Sequence, residues 1–100
     1  MTALHSTAVV QTATPARYAK QLVSHLGRKI EFVHDPAENS WRMAFDGVSG
    51  SITVAEGELV LAAEASDADT LGRIEQALGG HLERFGQRQE LTVTWLRTAA

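Results

Sequence analysis

Histidines are the residues of this sequence with the most direct chemical use, because imidazole serves both as a general base and as a metal ligand. The sequence has four of them, and none are placed at the H-x-x-x-H or H-E-x-x-H spacing of a helical metal site. His25 and His81 each fall at the edge of an apolar helical stripe, where a hydrogen bond to a neighbour would satisfy the ring. We therefore predict two structural boundary histidines, no metal site and no cofactor.

Groupings of residues suited to catalysis are weak in this sequence. It has no cysteine, which excludes a thiolate nucleophile, a disulfide and a cysteine zinc site. The segment Gly47–Gly50 contains a serine but is typical of a turn, not of a nucleophile elbow. Carboxylates such as Asp46 and Glu56 also fall at predicted turns, where solvent surrounds them. We predict no catalytic residue and expect a binding or accessory domain, not an enzyme.

Two amphipathic helices must position the candidate side chains. The first begins at Thr14-Pro15, where a capping hydroxyl precedes proline at the first helical position, and Gly27 ends it. The apolar stripe of this helix comprises Tyr18, Ala19, Leu22 and Leu26.

The second helix is predicted within the segment from Ser66 to Leu91, with Ser66 as its cap. Its apolar stripe comprises Leu71, Ile74, Leu78, Leu82 and Phe85. Gly79-Gly80 interrupts the pattern, and each glycine inside a helix costs about 1 kcal/mol relative to alanine. The pair indicates either a kink or break in the helix, or the close approach of another backbone or a ligand.

Alternating apolar residues and turn motifs predict six strands. They run from Leu4 to Thr12, from Lys29 to His34, through Trp41, Met43 and Phe45, through Ile52 and Val54, from Leu59 to Ala65, and from Leu91 to Trp95. Turns at Asp35–Asn39, Asp46–Gly50 and Glu56-Gly57 connect the four central strands into an antiparallel meander. The predicted fold class is α+β, with a single antiparallel sheet, two helices packed on one face, and the order β-α-β-β-β-β-α-β.

This architecture predicts two different faces of the sheet. The core between helices and sheet should contain Trp41, Phe45, Ile52, Leu61, Leu71, Leu78 and Trp95. The opposite face should present Thr53, Val60, Ala62, Glu64, Thr92 and Thr94, small and mixed side chains suited to solvent or to a partner. Because an open face and an unprotected edge strand favour association, we expect a symmetric homodimer.

The alternative function is a small metal-binding protein or an enzyme that uses His25 and His81. It requires those two rings to share a cleft with Tyr18 and Arg84. We expect the two helices to run antiparallel, with His25 near the start of the second helix and Tyr18 near His81. That arrangement disfavours a His25–His81 metal pair and makes Tyr18 the expected hydrogen-bond partner of His81.

Composition limits the classes of function. A chain of 100 residues is the length of one domain, spanning residues 1–100. The net charge of −3 and the absence of a dense basic run argue against binding nucleic acid. The first residues lack the charged and apolar regions of a signal peptide, and no stretch is long enough to span a membrane. We expect a cytoplasmic location and no membrane partner.

Several short motifs together resemble the bacterial domain-of-unknown-function family 2218. They are Ala16-Arg17-Tyr18 followed by Gln21-Leu22 and His25, then Ala65-Ser66-Asp67, His81-Leu82-Glu83-Arg84-Phe85, and an end running from Glu90-Leu91 to Trp95. The resemblance implies a small soluble bacterial protein without an assigned activity. It also implies an accessory role in siderophore or iron handling, beside a flavoprotein partner. Positions within the matched motifs give the candidate ligand-binding residues Arg17, Tyr18, His25, His81 and Arg84.

Overall fold

The computed structural model describes residues 3–45 and 47–99. Its elements are β1 (Leu4–Gln11), α1 (Pro15–Leu26), β2 (Val33–Asp35), β3 (Ser40–Phe45), β4 (Val48–Ala55), β5 (Glu58–Ala65), α2 (Ala68–Glu75), a π-helical segment (Gln76–Gly80), α3 (His81–Phe85), a 3₁₀ turn (Gln87–Gln89) and β6 (Leu96–Ala99). The π-helical segment joins α2 to α3, so the chain has two helical units. The predicted order and fold class are confirmed.

One six-stranded antiparallel sheet runs in the order β2-β3-β4-β5-β1-β6. Strands β2 to β5 form the predicted meander. The hairpin at Glu56-Gly57 is confirmed, because Ala55 lies opposite Glu58 and Gly57 has φ +69°. The turn after β3 is shorter than predicted, since Ser49 and Gly50 already belong to β4, and Asp46 lies outside the described residues.

Both helical units cover the same face of the sheet, as predicted, and the core lies between them and the central strands. Its fully buried side chains include Leu22, Ile52, Leu59, Leu61, Leu71, Leu78 and Leu82. Trp41 and Trp95, predicted to be buried, are half-buried and pack against this core. The predicted burial of Phe45 lies outside the described side chains.

The apolar stripe of α1 is confirmed, with all four predicted residues buried. The hydroxyl of Thr14 does not cap the helix. Instead the backbone N–H of Thr14 donates to the hydroxyl oxygen of Thr12 over 3.2 Å. The helix ends at Gly27, whose N–H donates to the Val23 carbonyl over 2.7 Å.

The second helical unit departs from the prediction at its start. Asp67, not Ser66, is the cap, because its carboxylate accepts from the N–H of Thr70 over 2.8 Å and from the Thr70 hydroxyl over 2.9 Å. These two hydrogen bonds lower the pKa of Asp67. A carboxylate caps here because it also faces the positive end of the helix dipole.

The two glycines fall in the π-helical segment, a single wide turn that interrupts the helix. A Cβ added at Gly79 would lie 2.8 Å from Nε1 of Trp95 and 3.0 Å from the Val93 side chain. The first predicted reason is confirmed, because the regular helix is broken at the glycines. What approaches Gly79 closely is the side chains of Trp95 and Val93, not the predicted backbone or ligand.

The last strand was predicted in the wrong place. Residues 91–95 belong to no strand, and β6 begins at Leu96, opposite Thr7 of β1. The side chain of Trp95 packs on Gly79, and the N–H of Val93 donates to the Glu83 carboxylate over 3.0 Å. These contacts hold the segment against the helix instead of the sheet.

The second strand is also shorter than predicted. The N–H groups of Lys29 and Ile30 both donate to the Leu26 carbonyl, over 3.0 and 2.9 Å, which continues the turn at the end of α1. The chain therefore enters the sheet only at Val33.

Candidate functional site

His25 and His81 lie side by side, contrary to the prediction. The centres of their rings are 4.7 Å apart, with the ring planes tilted by 44°. Phe85 packs edge-on against His25, with ring centres 5.6 Å apart. The prediction failed because it placed the end of α1 near the start of the second helix, whereas α1 packs against α3, at the end of the second helical unit.

His81 makes the hydrogen bond expected of a boundary histidine, but with a different partner. Its Nδ1 lies 2.7 Å from the carbonyl oxygen of Ala77, and the ring is half-buried. Because a carbonyl only accepts, Nδ1 carries a proton, and in the neutral ring Nε2 then holds the lone pair. Tyr18, the predicted partner, is instead buried in the stripe of α1.

The remaining candidates are scattered. Arg17 and Arg84 are exposed. None of the five predicted ligand-binding residues lines either of the two main concavities on the surface of the described residues. Of that set, the structure brings together His25 and His81. No group of three or more His, Asp or Glu side chains within residues 3–45 and 47–99 is arranged to hold a metal ion.

A broad concavity lies on the open face of the sheet, opposite the helices. Its volume is about 710 Å³. We call it the trough, and its lining residues are His5, Glu31, Val33, Arg42, Met43, Ala44, Ser49, Gly50, Ser51, Ala62, Ala63 and Glu64.

Small side chains on the central strands form the floor of the trough. Ala44 lies opposite Ser49, and Ser51 lies opposite Ala62, so four short side chains occupy neighbouring positions on β3, β4 and β5. Because side chains alternate between the two faces of a strand, residues of this kind leave the open face hollow where the helix-covered face is filled.

Longer side chains border the floor. At one side Nδ1 of His5 lies 3.1 Å from Oε2 of Glu64, its direct cross-strand neighbour. At the other side stand Arg42 and Glu31, which make no ion pair with any described residue. The trough thus offers a guanidinium, carboxylates and serine hydroxyls to whatever occupies it.

Three exposed apolar side chains also lie on the open face, two on the neighbouring strands β1 and β6 and one at the opposite edge on β2. Val9, Val33 and Leu96 are 50%, 64% and 72% exposed, and these are the large hydrophobic residues most exposed in the described chain. One row of directly opposite residues runs across the sheet from β2 to β6. It begins at Val33, passes through Arg42, Ser51, Ala62 and Thr7, and ends at Leu96.

A polar cluster joins the opposite face to the helices. Arg97 of β6 donates to both oxygens of Glu75, from Nη2 over 2.6 Å and from Nε over 3.0 Å. Buried Ser6 donates to the same carboxylate over 2.6 Å. The hydrogen bonds from Arg97, then that from Ser6, lower the pKa of Glu75. Every member is satisfied by the others, so the cluster fastens α2 to β1 and β6.

Sequence analysis missed the trough as a site. The predicted face of small, mixed side chains included Ala62 and Glu64 but not Ser49, which was placed in a turn. The hollow appears only once strands β3, β4 and β5 are aligned. Among the described residues, no helix is both long and apolar enough to cross a membrane.

Comparison with known proteins adds a family and a fold. The model of the family DUF2218, described as an uncharacterized protein conserved in bacteria, matches residues 7–96. No curated protein matches. The NMR structure of PA4090 from Pseudomonas aeruginosa is similar, with a TM-score of 0.76 and 24% identity over 93% of this chain and 95% of that chain. At this level of identity the likeness shows the fold alone.

Proposed function

The chain belongs to DUF2218, a family of uncharacterised bacterial proteins, and we propose that it is a binding domain that holds a small molecule in the trough. The observation that carries the proposal is a hollow of about 710 Å³ on the sheet face that the helices of the described residues leave open. Ligand sites usually enclose about 300–1,000 Å³ and combine apolar walls with a few placed polar groups. The trough has both.

The lining of the trough favours a polar ligand with an anionic group. Arg42 stands at the rim without an ion pair in the described structure, and its planar guanidinium binds a carboxylate through two parallel hydrogen bonds. Ser49 and Ser51 add hydroxyls that donate and accept from the floor. Glu31 and Glu64 oppose a multiply charged anion, so the proposed ligand carries one anionic group at the Arg42 end.

The finer proposal is that this ligand belongs to iron acquisition, as an iron-chelating siderophore or its ferric complex. Its support is the family resemblance together with the anion-binding chemistry of Arg42. A flavoprotein partner would then receive or release the iron complex.

The test is a ligand screen by thermal shift and amide NMR, with ferric and iron-free siderophores, flavins and simple carboxylates. A ligand should raise the Tm and shift amide signals of the trough residues. Ser51→Phe fills the floor and should abolish the effect, whereas Thr53→Phe, two residues along the same strand face and outside the lining, should preserve it. Equal binding by both variants would place the ligand elsewhere.

The second candidate is a homodimer that buries the open face. The specific observation is that Val9 and Leu96, on the neighbouring strands β1 and β6, are 50% and 72% exposed on this face, where a second copy of the chain would bury them. Sedimentation at high micromolar concentration tests it: a dimer that Leu96→Glu converts to a monomer supports this candidate, and a strictly monomeric mass removes it.

A further inference from the structure

We propose that His25 and His81 form a two-histidine site for a first-row transition metal ion, with copper(II) or nickel(II) favoured. The site lies where α1 meets α3 on the helical layer and is independent of the trough. The metal pair was disfavoured only by a helix arrangement that the structure does not have.

The tautomer of His81 is the one that a metal ligand requires. Its Nδ1–H donates to the Ala77 carbonyl over 2.7 Å, which orients the ring and leaves the Nε2 lone pair available. Metal-bound histidines in proteins usually donate their second ring nitrogen to a carbonyl or carboxylate in this way. His25 is exposed at the end of α1, so its ring has room to turn toward a shared ion.

The two rings are close together and oblique, with ring centres 4.7 Å apart and planes tilted by 44°. When both rings turn one nitrogen to an ion at about 2.0 Å, this separation gives a nitrogen–metal–nitrogen angle of roughly 90°.

A right angle between two nitrogen ligands suits tetragonal coordination, the geometry of copper(II) and nickel(II), better than the tetrahedron of zinc. No third His, Asp or Glu joins the pair among the described residues. Water therefore fills the remaining positions, and the Irving–Williams order puts copper(II) first among the divalent ions. The bound ion would also link α1 to α3.

The experiment is a titration of the untagged protein with copper(II), nickel(II) and zinc(II), followed by calorimetry and, for copper, by electron paramagnetic resonance. We expect one ion per chain, two-nitrogen coupling in the copper spectrum, and a higher Tm with metal. His25→Ala should weaken binding by at least about tenfold. His34→Ala and His5→Ala, which remove histidines remote from the site, should bind within about twofold of the wild type.

His25→Ala is the decisive variant, because this exposed ring makes no hydrogen bond in the described structure and its loss should leave the fold intact. His81→Ala should also lose binding, but it breaks the bond to Ala77 and should lower the Tm even without metal. Unchanged copper affinity in His25→Ala, or a loss that follows His5 or His34 instead, would overturn the proposal. Failure of ligand binding in the trough would leave it untouched.

Discussion

The two faces of the sheet are built from neighbouring residues of the same strands, yet they have different roles. Along β5, Leu59, Leu61, Ala63 and Ala65 are at most 4% exposed beneath the helices, whereas Val60, Ala62 and Glu64 between them are half-buried on the open face. The first set fills the core and the second leaves a hollow. One face therefore carries the stability of the fold, and the other is available for binding because the core does not need it.

Among matched substitutions on the two faces, those of Leu61 and Val60 should differ most in the free energy of unfolding that they cost. Leu61→Ala empties a fully buried position and should lower the free energy of unfolding by about 2–5 kcal/mol. Val60→Ala, one residue away on the open face, should cost less than about 1 kcal/mol. Urea unfolding followed by fluorescence measures both values. Equal losses would mean that the open face is itself covered in solution.

In the helical layer, substitutions of the two glycines should also differ in their effect on stability. Gly79→Ala drives a methyl group into Trp95 and Val93 and should cost about 1–3 kcal/mol. Gly80→Ala meets only the flexible, exposed side chain of Gln76, and the better helix propensity of alanine should stabilise by up to about 1 kcal/mol. Thermal unfolding of the two variants decides the matter, and a harmless Gly79→Ala would contradict the close contact with Trp95.

Substitutions of two adjacent hydroxyl residues of β1 should differ by a smaller amount in their cost to stability. Ser6 is buried and donates to Glu75, so Ser6→Ala should cost about 1–2 kcal/mol. Thr7 is exposed on the open face, and Thr7→Val should change stability by no more than about 0.5 kcal/mol. Chemical unfolding at neutral pH gives the comparison; matching costs would show that the bond from Ser6 to Glu75 contributes nothing.

The smallest effect should appear in the pH dependence of the free energy of unfolding, through Glu75 on the helix-covered side of the sheet. Hydrogen bonds from Arg97 and Ser6 lower the pKa of Glu75 in the folded protein. A lowered carboxyl pKa stabilises the fold above the unfolded-state value of about 4.3, and this contribution disappears as the pH falls through the folded pKa. Arg97→Gln should therefore flatten the loss of stability below about pH 4.3.

The matched control for this experiment is Arg84→Gln, which removes an exposed arginine that has no ion pair in the described structure. Its unfolding free energy should fall with acid as steeply as that of the wild type. An identical slope in Arg97→Gln would show that Glu75 does not owe its low pKa to Arg97.

Local patterns were sufficient to predict most of the fold. The stripe of α1, the alternation of β5 and the Glu56-Gly57 hairpin each depend on residues close in sequence, and each is confirmed. The same reasoning failed where a distant contact competes with a local preference. Residues 91–95 alternate as a strand should, but contacts with Gly79 and Glu83 hold them away from the sheet.

The candidate sites were less accessible to sequence reasoning. No single residue of the trough floor is unusual, since alanine and serine are common in strands, and the hollow results from the register of β3, β4 and β5. His25 and His81 were identified as a potential pair, but the expected helix arrangement separated them. The glycine pair indicated a break in the second helix, but the sequence did not predict that α3 would pack against α1.

By itself, the sequence determined the fold class, the order of the elements, the apolar stripes of the helices and the division of the sheet into an apolar and a mixed face. These follow from periods of two and of about 3.6 residues, which act between near neighbours in the chain. The tertiary structure alone decided that His25 meets His81, that Ser6 and Arg97 share Glu75, and that small side chains from separate strands form one trough. Each of these depends on strand register and helix direction, which are set by the packing of the whole chain.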